Sequence, residues 1–237
     1  MRSALLRTVL FGAAALVATR SGIAEAKKFT VIHNFVNRAT DGAVPYGGVA
    51  PDGHGGFYVA TLSGGESDDG ALTLIKKDDS SQLLHYFTGG GDGLHPVGTP
   101  YLWPLDGNVY GTTQEGGASN CGTIYRYLRG SETYQQVYAL GCAPEGDTPE
   151  DALTDVGGVL EATTSYGGPS NVGALIFVRS DGSTGTGCNF SGSNGAYPNA
   201  DIIQVNGNSY TVAQGGGLNG DGTITKFQGV TCNTSVL

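Results

Sequence analysis

The sequence predicts an all-β fold: a four-bladed β-propeller made of four-stranded repeats of about fifty residues. Three observations predict it. A glycine-rich segment recurs at residues 58–65, 110–117, 161–168 and 210–217, so its copies begin 52, 51 and 49 residues apart. Five residues after each Gly-Gly pair, another glycine (Gly70, Gly122, Gly173, Gly222) opens an apolar stretch. Upstream of each segment stands Gly-x-x-Pro, ending at Pro45, Pro96, Pro149 and Pro198. The rival arrangement of the same repeats is an open β-solenoid-like array.

Each repeat reads as four short strands. In the third they span roughly residues 152–156, 159–164, 173–179 and 187–191. Gly157-Gly158, Asp106-Gly107 and Asn206-Gly207 supply tight hairpins between the first two strands. Gly-Gly-x4-Gly makes the wider second connection, and Arg129-Gly130 or Asp181-Gly182 marks the third. The last strand ends at Phe87, Leu140 or Phe190, and residues 29–35 carry the same pattern, ending at Phe35. The fourth repeat has no regular equivalent after residue 227, so residues 29–35 are expected to complete the last blade. That would hide a sheet edge. The repeats run approximately over residues 33–84, 85–135, 136–186 and 187–237, in one domain over 27–237.

Composition agrees. Glycine accounts for 41 of 237 residues, more than twice the usual share of about 7%, without a collagen period. Only 14% of residues are charged, which excludes a coiled coil, and 39% are hydrophobic, enough for a core. The net charge of −9 argues against a nucleic-acid partner, because no basic patch is present to neutralise phosphates.

Residues 1–26 read as an export signal. Arg2 and Arg7 precede the apolar run 9–18, and Ala24-Glu25-Ala26 supplies an A-x-A cleavage site. A run of that length is too short to span a bilayer, which needs about 20 residues. No later run is longer, so the expected destination is the periplasm or the extracellular space, with no membrane span in the mature chain. The even set Cys121, Cys142, Cys188 and Cys232 then implies disulfides. Cys121 and Cys142 flank the open end of a hairpin over residues 122–127 and 134–140, which brings them within bridging reach. Cys188 and Cys232 pair by elimination. Asn189-Phe190-Ser191 and Asn233-Thr234-Ser235 match the glycosylation acceptor pattern.

Residues 110–125 (YGTTQEGGASNCGTIY) resemble the GloVer tandem repeat of bacterial extracellular proteins. The resemblance covers about residues 33–228. The third repeat departs at Glu161, and the first and fourth keep mainly the glycines. The resemblance implies export, and in some relatives a C-terminal sorting anchor, which this sequence lacks. It assigns no catalytic residue.

The Gly-x-x-Pro and Gly-Gly-x4-Gly loops are expected on one face of the propeller. They contribute Ser67, Asp68, Asp69, Asp92, His95, Asn120, Asp147, Asn171, Tyr197, Asn219 and Asp221. Such an oxygen-rich face suits a glycan, a protein ligand or a calcium ion. The same residue types also serve turns, and residues 66–69 and 218–221 lack the spacing of a calcium loop. His33 and His85 share one repeat position, filled elsewhere by Tyr138 and Cys188, which reads as packing. No H-E-x-x-H or G-x-S-x-G motif occurs. Gly215-x-Gly217-x-x-Gly220 leads into a strand, which voids the dinucleotide reading. Glu161 replaces the repeat's Tyr. It reads as an exposed, drifted position, or as one carboxylate of a glycosidase pair with Glu115 or Asp147.

These features point to a secreted, non-catalytic binding protein. The alternatives are a polysaccharide hydrolase or lyase using channel carboxylates, and a structural cell-envelope component.

Overall fold

Four small antiparallel sheets follow one another as the blades of a β-propeller in the computed structural model, which describes residues 29–36, 38–230 and 235–236. The chain divides into two units, Met1–Val31 and Ile32–Leu237, and the blades lie in the second. The proposed export signal falls on residues outside those described. Among the described residues no helix is long and apolar enough to cross a membrane.

A single helical turn, α1 (Arg38–Asp41), precedes blade one. Blade one is β1 (Ala43–Pro51), β2 (Phe57–Ser63), β3 (Ala71–Ile75) and β4 (Ser81–Tyr86). Blade two is β5 (Tyr101–Leu102), β6 (Val109–Thr113), β7 (Thr123–Leu128) and β8 (Thr133–Ala139). The short β9 (Gly146–Asp147) enters blade three, which holds β10 (Thr154–Asp155), β11 (Val159–Thr164), β12 (Tyr166–Gly167), β13 (Ala174–Arg179) and β14 (Thr184–Asn189). The pair β9–β12 forms a separate ribbon beside it. Blade four is β15 (Ala196–Pro198), β16 (Ile203–Val205), β17 (Asn208–Gly215), β18 (Thr223–Phe227) and β19 (Ser235–Val236).

Local chemistry sets these strands. The Gly157-Gly158 and Asn206-Gly207 turns put both central residues at positive φ, as tight hairpins require. The register Val109↔Tyr127 to Thr113↔Thr123 then alternates side chains between the two faces of the blade. Both faces of an inner blade are buried, so its middle strands are nearly continuous in apolar and Thr residues.

The core lies between blades. Tyr58, Leu72 and Phe87 of blade one pack on Val109, Tyr125 and Tyr127 of blade two. Trp103, Tyr110, Ile124 and Leu140 of blade two pack on Leu160, Ala162, Ile176 and Val178 of blade three. Leu175 and Cys188 of blade three meet Ile202 and Phe227 of blade four. Each fully buried large side chain contributes about 1.5–3 kcal/mol.

Two expectations need correction. Residues 29–35 form no strand; the outer strand of blade four comes from the C-terminal end, where β19 pairs with β18 at Thr225↔Val236 and Lys226↔Ser235. Repeat register alone could not show this, because it says nothing of which distant segment reaches an edge. Glu161 is not exposed. It is 1% accessible, on the face of β11 that alternates with Leu160 and Ala162. The expected disulfide joins Cys121 and Cys142, with Cα atoms 5.3 Å apart. Cys188 is buried, and its expected partner Cys232 lies outside the described residues.

Candidate functional site

The loop face is built by one bond repeated at three seams between blades. The third residue of each Gly-x-x-Pro loop takes positive φ: His95 at 54°, Thr148 at 57° and Tyr197 at 57°. Its N–H donates to a carbonyl of the preceding blade: His95 to Asp69 at 2.9 Å, Thr148 to Cys121 at 3.1 Å and Tyr197 to Val172 at 2.8 Å. Beside each bond the loop's proline packs on the glycine that opens the third strand. A Cβ at Gly70, Gly122 or Gly173 would stand 2.5, 2.7 or 2.5 Å from Pro96, Pro149 or Pro198. Only glycine fits there, and its φ of +95° to +113° favours it again.

The candidate loop residues divide by what their side chains do. Asp68, Asn120 and Asn171 all have positive φ, and each accepts a hydrogen bond from the backbone four residues earlier. Gly64 N–H donates to Asp68 at 2.7 Å, Gly116 N–H to Asn120 at 3.0 Å, and Gly167 N–H to Asn171 at 3.0 Å. These side chains lock the wide connection from within. Arg38 adds a forked pair to Asp68 at 2.5 and 2.8 Å, and that bond, with the Gly64 N–H, holds the Asp68 carboxyl below its usual range. Asp92 accepts from Thr88 N–H and Thr88 Oγ1 and lies 3.1 Å from His85 Nε2. His95 Nδ1 lies 3.4 Å from Glu115, and Asp147 accepts from Thr148 Oγ1 at 2.9 Å. The side chains of Asp69, Asn219 and Asp221 make none of the hydrogen bonds found among the described residues.

Asn219 and Asp221 line an open cleft of about 510 Å³ with Gly217, Leu218, Gly222 and Ile224. The cleft stands where, in the other three blades, the next blade's proline loop is seated. His85 is stacked on Tyr134 at 3.8 Å and T-shaped to Phe87 at 4.9 Å, a packed position, and burial lowers its pKa against the pull of Asp92. One group of three potential metal ligands occurs among the described residues: Cys121, Cys142 and Asp147, within 4.8 Å of one another. The two sulfurs are bonded to each other, which removes them as ligands.

Two carboxyls are buried elsewhere. Glu161 is pushed up to about 7 by burial, partly offset by the Arg179 charge, and its Oε2 has no hydrogen-bond partner. Asp151 is pushed up to about 7 by burial, with Asp201 and Glu150 reinforcing and the bond from Thr163 Oγ1 opposing. Glu161 is buried in the packing of β11, whereas Glu115 follows β6 and Asp147 lies on β9, so Glu161 presents no carboxylate on the surface that Glu115 or Asp147 could share with a substrate.

Sequence reasoning missed Tyr166. It is 45% exposed and meets Tyr197, 37% exposed, with ring centroids 5.5 Å apart across the seam between blades three and four. In β9–β12, Tyr166 pairs with Asp147. The signal was present in the repeat alignment, where Tyr166 takes the place of Glu115, but its neighbour across the seam was not.

The Gloeobacter/Verrucomicrobia repeat matches residues 17–225. The chain belongs to that family. No curated protein matches this repeat protein in sequence. Solved structures share its propeller architecture. TolB from Acinetobacter baumannii is 14% identical with a TM-score of 0.51, over 81% of this chain and 42% of that one. Virginiamycin B lyase from Staphylococcus aureus is 14% identical with a TM-score of 0.51, over 82% and 55%. A protein described as a gluconolactonase is 13% identical with a TM-score of 0.52, over 85% and 65%. The repeat protein thus spans 42–65% of the length of these structures, and the likeness shows the fold alone.

Proposed function

We propose that this repeat protein is exported and binds a glycan, without catalysis, on its loop face at Tyr166 and Tyr197. The exposed tyrosine pair carries the reading. Aromatic side chains are amphipathic: the ring faces pack on the apolar C–H face of a sugar, and the phenol hydroxyls bond its hydroxyl groups. Asp147, strand partner of Tyr166, stands beside them as an acceptor. The seam bond from Tyr197 N–H to Val172 O fixes the ring pair on a rigid scaffold, which lowers the ordering cost of binding. The Cys121–Cys142 disulfide supports an oxidising, extracytoplasmic setting.

The test is a glycan array with the purified chain, with and without calcium. Saturable binding without product release is expected. Tyr166→Ala and Tyr197→Ala should each weaken it about tenfold or more, the usual mark of an aromatic hot spot. Release of reducing or unsaturated ends would favour the hydrolase or lyase reading. Binding to no glycan would favour a structural envelope role.

A further inference from the structure

Blade four presents an apolar face that no other blade covers among the described residues. At the equivalent positions in the other blades the forward face is closed: Ala60 and Leu72 are 1% and 0% accessible, and Thr112 and Ile124 are 1% and 0%. In blade four Ile224 is 53% and Val212 43% accessible. With Ile203 and Tyr210 they line an apolar hollow of about 300 Å³. In this repeat, what covers that face is the rear face of another blade.

The rear of blade one carries the matching half. Val44 has the positive φ of the seam donors, 56°, and Pro45 follows it. Gly222 opens β18 at φ +101°, as Gly70, Gly122 and Gly173 open the third strands of the other blades. Yet the nearest atoms to a Cβ at Gly222 belong to Ala213 and Gln214 of its own blade, and Val44 is 51% exposed. None of the hydrogen bonds, ion pairs or ring contacts among the described residues joins blade four to blade one.

Residues 32–36 repeat the bonding at the end of a fourth strand, and none of the strand pairings among the described residues includes them. His33 Nε2 lies 3.3 Å from Asp41, as His85 Nε2 lies 3.1 Å from Asp92. His33 is T-shaped to Phe35 at 4.9 Å, as His85 is to Phe87. Val36 N–H donates to Asp41 as Thr88 N–H does to Asp92. On the other half, the described residues of β19 pair with Thr225 and Lys226. The register of β7 with β8, Thr123↔Ala139 and Ile124↔Tyr138, maps onto Thr223↔Asn34 and Ile224↔His33.

We propose that two copies of this chain associate reciprocally, blade four of each on blade one of the other, to close one eight-bladed ring. Two-fold closure uses both halves twice and leaves no seam unfilled. The proposal does not rest on glycan binding.

Light scattering after gel filtration of the full chain should give twice the monomer mass. Ile224→Asp, at a position exposed in the single chain, should halve that mass while leaving far-ultraviolet circular dichroism and the Trp103 emission unchanged. Mixing the single variants Asn34→Cys and Thr223→Cys should yield a covalent dimer on a non-reducing gel, a link available only between chains. A wild-type monomer, a dimer that survives Ile224→Asp, or a link formed only inside an Asn34→Cys, Thr223→Cys double variant would each overturn the proposal. The last result would mean that one chain closes its own ring.

Discussion

The indole N–H of Trp103 in blade two donates to the carboxylate of Asp155 in blade three, 3.0 Å away. Trp103 is 1% accessible, so loss of this bond leaves a buried donor unpaired. The other oxygen of Asp155 accepts from Gly158 N–H at 2.8 Å, which holds the β10–β11 hairpin. Asp155→Ala should therefore cost about 2–4 kcal/mol, one buried donor plus one turn bond. Asp155→Asn retains an acceptor and should cost less. Trp103 is the sole tryptophan, so denaturant unfolding followed by its fluorescence reads this seam directly.

Stability should fall as pH rises from about 4.5 to about 7. Glu161 has a folded pKa raised from 4.5 to about 7, so over that interval the folded state holds a proton that the unfolded chain has released. The stabilisation is complete below 4.5 and is lost as pH passes through 7. Asp151 acts in the same direction, from 3.8 to about 7. His85 opposes it below its ordinary 6.5, because burial lowers its pKa and the folded state resists protonation there. Glu161→Gln keeps the shape and removes the charge. At pH 8 it should gain on the order of 2 kcal/mol, with little change at pH 4. A melting temperature that shows no difference between Glu161→Gln and wild type across this range would refute the assignment.

Gly122→Ala and Gly130→Ala should separate sharply. At Gly122 a Cβ would stand 2.4 Å from Thr113 O and 2.7 Å from Pro149, at φ +95°. Strain and displacement of the proline loop together should cost about 3 kcal/mol or more. At Gly130 no atom lies within 4 Å, and φ is not in the left-handed region. That substitution should change stability by less than about 0.5 kcal/mol. Equal losses in thermal or denaturant unfolding would mean that the seam glycine is not held by Pro149.

The blades themselves were legible because their determinants are local. Glycine at positive φ, two-residue turns and the short, nearly continuous apolar and Thr runs Val109–Thr113 or Ala174–Arg179 depend on a few neighbouring residues. The Cys121–Cys142 bridge followed for the same reason, since the hairpin register alone brings the two together. The loop acids were visible as residues but not as roles. That Asp68, Asn120 and Asn171 point inward to backbone N–H groups is a matter of side-chain direction at a positive-φ corner.

Sequence by itself determined the repeat, the strands within each blade, the seam glycines with their prolines, and one disulfide. Tertiary structure alone decided three things: that Glu161 faces the packing of β11 instead of water, that Tyr166 meets Tyr197, and that blade four keeps an open forward face while β19 takes the edge expected for residues 29–35. The division is physical. A strand or turn is fixed by dihedral preferences within a few residues, whereas a blade's neighbours depend on the twist and tilt of whole sheets accumulated around the axis.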